Sequence, residues 1–109
     1  MANTFKLKTK ANVGVTTVGI YTAPAATTTV VIGITLANTS GSGVNVGVRV
    51  TRAGTTEDVK LLKNAPIPQG SSLEFMAGNK VVLEATDTVT VDSDTNNSVD
   101  AALTIMEIT

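Results

Sequence analysis

Val44-Asn45-Val46-Gly47-Val48-Arg49-Val50-Thr51 places valine at every second position and small or polar residues between. A period of two is the signature of a strand with one face buried and one wet. Upstream, Thr28, Val30, Ile32, Ile34 and Leu36 alternate with Thr29, Val31, Gly33, Thr35 and Ala37. Both sets are largely apolar, as in a central strand. Asn38-Thr39-Ser40-Gly41-Ser42-Gly43 separates the two runs with turn-forming residues, so the sequence reads as one long hairpin. The same grammar runs through the rest of the chain. Of its 109 residues, 15 are Val, 6 Ile and 19 Thr, all stiff at the first side-chain torsion and suited to a pleated backbone.

Working outward, shorter strands are expected over residues 18–23, 59–64, 72–76, 80–85, 88–92 and 99–108. Leu73 with Phe75, Val81 with Leu83, Val89 with Val91, and Val99, Ala101, Leu103 and Ile105 face inward. Pro24 holds Ala23 extended. No window supports a helix: the best, residues 56–64, runs into Ala65-Pro66-Ile67-Pro68. That Pro-x-Pro segment cannot lie in a central strand and reads as an edge or a crossover between sheets. The expected fold is all-β, a single-domain antiparallel β-sandwich, jelly-roll or immunoglobulin-like, with seven to nine short strands. Residues 18–109 form the sandwich. Residues 1–17 stand apart, because Phe5 and Leu7 alternate with Lys6, Lys8 and Lys10 but the phase is lost from Asn12. They are either an edge strand guarded by lysines or an arm that docks on a partner through Phe5 and Leu7.

The composition excludes most chemistry. There is no Cys, His or Trp, hence no disulfide, no thiolate zinc site and no Cys- or Ser-His nucleophile. Asp92-Ser93-Asp94-Thr95-Asn96-Asn97 opens like a calcium loop, but Asn97 and Leu103 stand where that loop needs Gly and Glu, so it reads as a turn. Glu57-Asp58 and Glu84 with Asp87 are carboxylate pairs without a sugar platform beside them, and read as turn and surface charge. Gly41-Ser42-Gly43 lacks the third glycine and the helix of a phosphate cradle. With three aromatic residues (Phe5, Tyr21 and Phe75) there is no stacking surface for nucleic acid. The longest run without a polar side chain, Val30 to Ile34, is far short of the roughly 20 residues of a membrane helix. No cofactor, metal, membrane or nucleic-acid partner is expected, and no enzymatic activity.

What remains is adhesion. Residues 1–56 carry five cations and no acid, whereas residues 57–109 carry all nine acids and three lysines. Either the strands interleave and the charges mix, or subunits meet plus to minus. The core is poor in aromatics, which points toward assembly with other chains. Exposed apolar residues are expected at Phe5, Ile67, Phe75, Met76 and Met106, and the candidate interface comprises Phe5, Lys6, Leu7, Lys8, Lys10, Pro66, Ile67, Pro68 and Met76.

Four stretches carry a family resemblance. They are Tyr21-Thr22-Ala23-Pro24-Ala25 with Thr27 to Thr39; Leu62-Lys63-Asn64-Ala65-Pro66-Ile67-Pro68-Gln69-Gly70-Ser71-Ser72-Leu73; Lys80-Val81-Val82-Leu83-Glu84-Ala85-Thr86-Asp87; and Ser98-Val99-Asp100 through Met106-Glu107-Ile108-Thr109. Over residues 18–109 the chain resembles small virion structural proteins of tailed bacteriophages, of the type found in phages of marine and cyanobacterial hosts. The resemblance implies a component of the virion, assembled in the host cytoplasm, and carries over no functional residue. Its stations are a capsid decoration (cement) protein, as a homotrimer or other homo-oligomer on the major capsid protein lattice, or a neck, tail or fibre-attachment protein. Where that group more often has Ala-Gly-Asp, this chain has Ala85-Thr86-Asp87, which speaks against a left-handed turn at Thr86.

Overall fold

A computed structural model describes residues 3–54, 57–74 and 80–109 of the chain. In it Val44, Val46, Val48 and Val50 all turn inward, each at most 5% exposed. They belong to β4 (Val44–Arg52), one of nine strands among the described residues, with β1 (Asn3–Val13), β2 (Val18–Thr22), β3 (Thr28–Asn38), β5 (Glu57–Ile67), β6 (Ser72–Glu74), β7 (Val81–Leu83), β8 (Thr88–Ser93) and β9 (Val99–Ile108). Sheet A runs β1-β9-β3-β6, with β7 also paired to β3; sheet B runs β2-β8-β4-β5. All pairings are antiparallel. β6 faces Thr35–Ala37 and β7 faces Thr29–Val31, so the two short strands act as one interrupted edge of β3. Counted so, each sheet has four strands, and successive strands repeatedly change sheet. This is the double-sheet jelly roll.

The hairpin expected from residues 28–51 does not form. β3 lies in sheet A and β4 in sheet B, so Asn38–Gly43 is a crossover. Asn38 builds it: its side-chain amide donates to the carbonyls of Ser42 and Ile67 at 2.8 and 2.9 Å, and its side-chain oxygen accepts from the Ser40 N–H. The Asn38 and Thr39 N–H groups donate to Ser71 and Ser98. The link is thereby tied to both sheets and spans the ~10 Å between them. β3 also changes phase. A register shift between Val31 and Gly33 lets Thr29 and Val31 face inward before it, and Ile34, Leu36 and Asn38 after it. No single alternating set describes this strand.

A second correction concerns Thr86, which adopts φ 71°. A β-branched residue is strained there, and the surroundings enforce it. The Thr86 N–H donates to the Ala23 carbonyl at 2.8 Å, and the Asp87 N–H donates to the Glu84 carbonyl at 3.1 Å. The buried Asp87 carboxylate closes the turn by accepting from the Glu84 N–H and from Arg52 Nε, both at 3.0 Å. Replacing Thr86→Gly should relieve the strain and stabilise the fold by about 1 kcal/mol. Thermal unfolding should then shift upward by about 4–8 °C; a lower midpoint would show that the threonine is not strained.

Pro66 lies in β5, at the edge of sheet B, opposite Asn45. Ile67 is not exposed as expected: at 2% exposure it is part of the core, because the strand turns it inward between the two outward prolines. Phe75 and Met76 lie outside the described residues.

Candidate interaction surface

β1 positions most of the candidate interface. It pairs with β9 from Asn3↔Ile108 to Lys10↔Ala101 without a shift, and the register breaks only between Lys10 and Val13, where Asn12 is left-handed (φ 58°). Directly opposed residues of an antiparallel pair point to the same face. Lys6, Lys8 and Lys10 stand opposite Ile105, Leu103 and Ala101, which are buried, so the lysines line the core side of the sheet at its rim. Their aliphatic stems can cover the edge of the core while the ammonium groups reach water. Phe5 and Leu7, opposite Met106 and Thr104, therefore point away from the core and are 69% and 64% exposed.

The outer face of sheet A continues from them. Phe5, Met106, Val30 and Val82 lie in one register row across β1, β9, β3 and β7, and Val82 is 58% exposed. Four strands span about 14 Å. Flanking rows hold Asn3, Ile108 and Thr28 on one side, and Leu7, Thr104 and Gly33 on the other. Among the described residues charge enters this face away from β1, with Glu74 opposite Thr35, Asp100 opposite Ala37, and Lys80 beside Gly33, Thr35 and Thr104.

Sheet B presents the contrary surface. Its outer face carries Arg49, whose guanidinium donates to Asp58 (3.5 Å), Asp92 (3.3 Å) and Thr17 (3.1 Å), and Thr51, which donates to Asp58 at 2.6 Å. Asp94 accepts from the Asn45 N–H at 3.1 Å. The two acids of the calcium-like loop are thus engaged on different partners. Glu84 and Asp87 both bind Arg52, which offsets part of their charge. The ion pairs Lys6–Glu107, Arg49–Asp58, Arg49–Asp92, Arg52–Glu84 and Arg52–Asp87 all join a cation of the first half to an acid of the second, so the lopsided charge of the sequence mixes in space. Among the described residues, no three His, Cys, Asp or Glu converge to hold a metal ion.

At the rim between β1 and β2 lies a polar cluster that the sequence reading missed. Glu107, 7% exposed, takes Lys6 Nζ at 2.8 Å on one oxygen and the Tyr21 hydroxyl at 2.6 Å on the other. The Tyr21 hydroxyl also lies 2.8 Å from Thr29 Oγ1, and Lys8 Nζ sits 5.9 Å from the centre of the Tyr21 ring. The Lys6 and Tyr21 hydrogen bonds hold the Glu107 carboxyl below its ordinary range. Burial, and then the bond to Glu107, push the Tyr21 phenol up to about 12. A signal was present: the inward phase of β9, Val99, Ala101, Leu103 and Ile105, arrives next at Glu107. An acid in a core phase needs a buried partner. Every buried side-chain polar atom among the described residues has one.

No family model matches the chain. No curated protein matches it either. Solved structures match its architecture. A chain of the Bacillus endospore appendages, described as a novel family of disulfide-linked pili, superposes with a TM-score of 0.60 at 16% identity, covering 99% of this chain and 87% of its own. A chain from the acidic stable capsid of Helicobacter pylori bacteriophage KHP30 superposes at 0.54 and 7% identity, covering 98% and 87%. At such identities the likeness is one of fold: a jelly roll of a kind found in a phage capsid and in a pilus.

Proposed function

We propose that this protein is a non-enzymatic structural component of a phage particle, a capsid decoration protein that binds the major capsid protein lattice and stabilises the head. The observation that carries the reading is the asymmetry of the sandwich. The outer face of sheet B is taken up by its own ion pairs, whereas the outer face of sheet A is apolar toward β1, with Phe5, Leu7 and Val82 largely exposed. Contiguous exposed apolar surface of this kind marks an interaction site. The resemblance of residues 18–109 to small virion proteins, and the shared fold with a phage capsid chain, support placing that site in a virion. Phe5, Lys6, Leu7, Lys8 and Lys10 form the contact strand of this reading, with Pro66 and Pro68 on the β5 edge as a second contact; Ile67 contributes from the core and Met76 completes the proposed set. Homotrimers or other homo-oligomers are the assembling unit.

The fold shared with a pilus chain favours a second reading, a neck, tail or fibre-attachment station built on ring or axial symmetry. Quantitative mass spectrometry of purified particles separates the two. Decoration requires copies on the order of hundreds per particle, whereas a ring or axial station requires about 3–18. A protein absent from purified particles would overturn both.

A further inference from the structure

The β1 strand is an open edge with a code on it, and we infer that it accepts an extended segment of a partner protein in which carboxylate and apolar side chains alternate. This deepens the reading above and rests on its choice of β1 as a contact. The other edges are blunted. β5 carries two register shifts and Pro66, β2 has five residues and a shift between Gly19 and Tyr21, and β6 and β7 have three residues each. Bulges, proline and shortness are the devices by which sheets avoid adding strands. β1 has none of these over the eight residues Asn3–Lys10, and it terminates sheet A.

Its two faces ask for different things. On the outer face, an added strand would extend the row Phe5, Met106, Val30 and Val82, and so needs apolar or threonine side chains at alternate positions. On the rim, Lys6, Lys8 and Lys10 would stand opposite the intervening positions. Glu107 forms its ion pair with Lys6 and attracts Lys8 only at longer range, and no carboxylate forms an ion pair with Lys8 or Lys10 among the described residues. Acids there gain from the lysines, and cations are repelled.

A second copy is the wrong partner. Two β1 strands pairing about a twofold axis match residues whose numbers sum to a constant. Within Asn3–Lys10 the two longest matches are centred on Lys6, which sets that lysine against itself, and on Leu7, which sets Lys6 against Lys8; a match centred on Phe5 avoids lysine pairs but joins only Asn3–Leu7. Like charges directly opposed destabilise a sheet. The lysines therefore disfavour the longest self-pairings while leaving the edge open to an acidic strand, which is how specificity is achieved by repulsion as well as attraction. Main-chain hydrogen bonds would supply the adhesion and the alternating side chains the selection.

The test uses the full chain and three peptides: acetyl-Thr-Glu-Val-Glu-Val-Glu-Thr-amide, the same peptide with Lys for Glu, and one of the same composition with its three Glu adjacent. Binding is followed by titration and by amide hydrogen exchange. The alternating acidic peptide should bind roughly tenfold or more tightly than either control, more weakly as salt rises, and should slow exchange at amides of Thr4–Lys10. Lys8→Glu with Lys10→Glu should reverse the preference toward the lysine peptide. Lys10→Glu alone, at an exposed position, gives the same direction of change should the double variant fold poorly. Equal binding of the three peptides, no binding, or protection confined to β3 and β9 overturns the inference. None of these outcomes touches the copy number in particles, so the two readings fail separately.

Discussion

Deleting residues 1–10 should destabilise the isolated protein by about 3 kcal/mol or more and lower its thermal midpoint by about 10 °C or more. Read as an arm, this segment would be removable without harm to the sandwich. In the structure it is the outer strand of sheet A, and three losses follow from its removal. The pairing of Asn3–Lys10 with β9 disappears, leaving β9 as the edge. The rim of the core at Leu103 and Ile105 loses the cover of the Lys6 and Lys8 stems. Glu107 loses the ammonium group 2.8 Å away while remaining among core residues. An uncompensated buried charge is costly, though less than in a deep core because Lys6 is itself partly exposed. The new edge, Val99 to Ile108, has no lysine and no proline along it, so the truncated chain should also self-associate. Circular dichroism against temperature and size-exclusion chromatography read both effects. A truncated monomer melting within about 2 °C of the full chain would show that β1 is an appendage.

How far this could be read beforehand depends on the range of the interaction. The inward valines of β4 and the inward set of β9 are visible because a half-buried strand writes its burial into every second residue. The sheet to which a strand belongs is not written locally. Asn38–Gly43 has the chemistry of a turn whether the chain folds back beside itself or crosses to the other layer. What decides is a set of partners far away in sequence, Ser71, Ser98 and the Ile67 carbonyl. Ile67 misled for a related reason: two flanking prolines mark an edge, but an edge strand still has an inner face. Thr86 goes against its own backbone preference because Asp87, Arg52 and the Ala23 carbonyl jointly hold the turn. On β1 the alternation was plain, but its sense came only with the register. The sequence left open whether the lysines guard an edge strand or belong to a docking arm; that they lie on the core side at the rim, with Phe5 and Leu7 outward, follows from Lys6↔Ile105 and Phe5↔Met106.

The second large effect is expected at Glu107. Glu107→Ala removes both acceptors at once, leaving the Tyr21 hydroxyl with Thr29 and Lys6 with water. The loss should be about 2–3 kcal/mol, the range for hydrogen bonds to a charged group together with a weakened buried site. The same cluster imposes a pH dependence with two limbs. The Glu107 carboxyl is held below its ordinary value in the folded chain, so its contribution is complete above the unfolded value of about 4.3 and disappears as pH falls through the folded one. Tyr21 shifts the other way: with its phenol pushed up to about 12, folding favours the neutral form. Its contribution is complete below about pH 10 and fades as pH rises toward the folded value. Denaturant midpoints measured from acid to alkaline pH should therefore fall at both ends. Glu107→Gln should flatten the acid limb relative to the wild type and Tyr21→Phe the alkaline one, and superimposable acid limbs for wild type and Glu107→Gln would exclude this role for the carboxylate. Because Lys6 belongs to β1, the acid limb is also a limb of edge-strand release. Hydrogen exchange at residues 3–10 should accelerate on acidification earlier than exchange in β4, relative to the intrinsic rates at each pH, since Lys6 ties the strand that carries the contact surface to a carboxylate that acid neutralises.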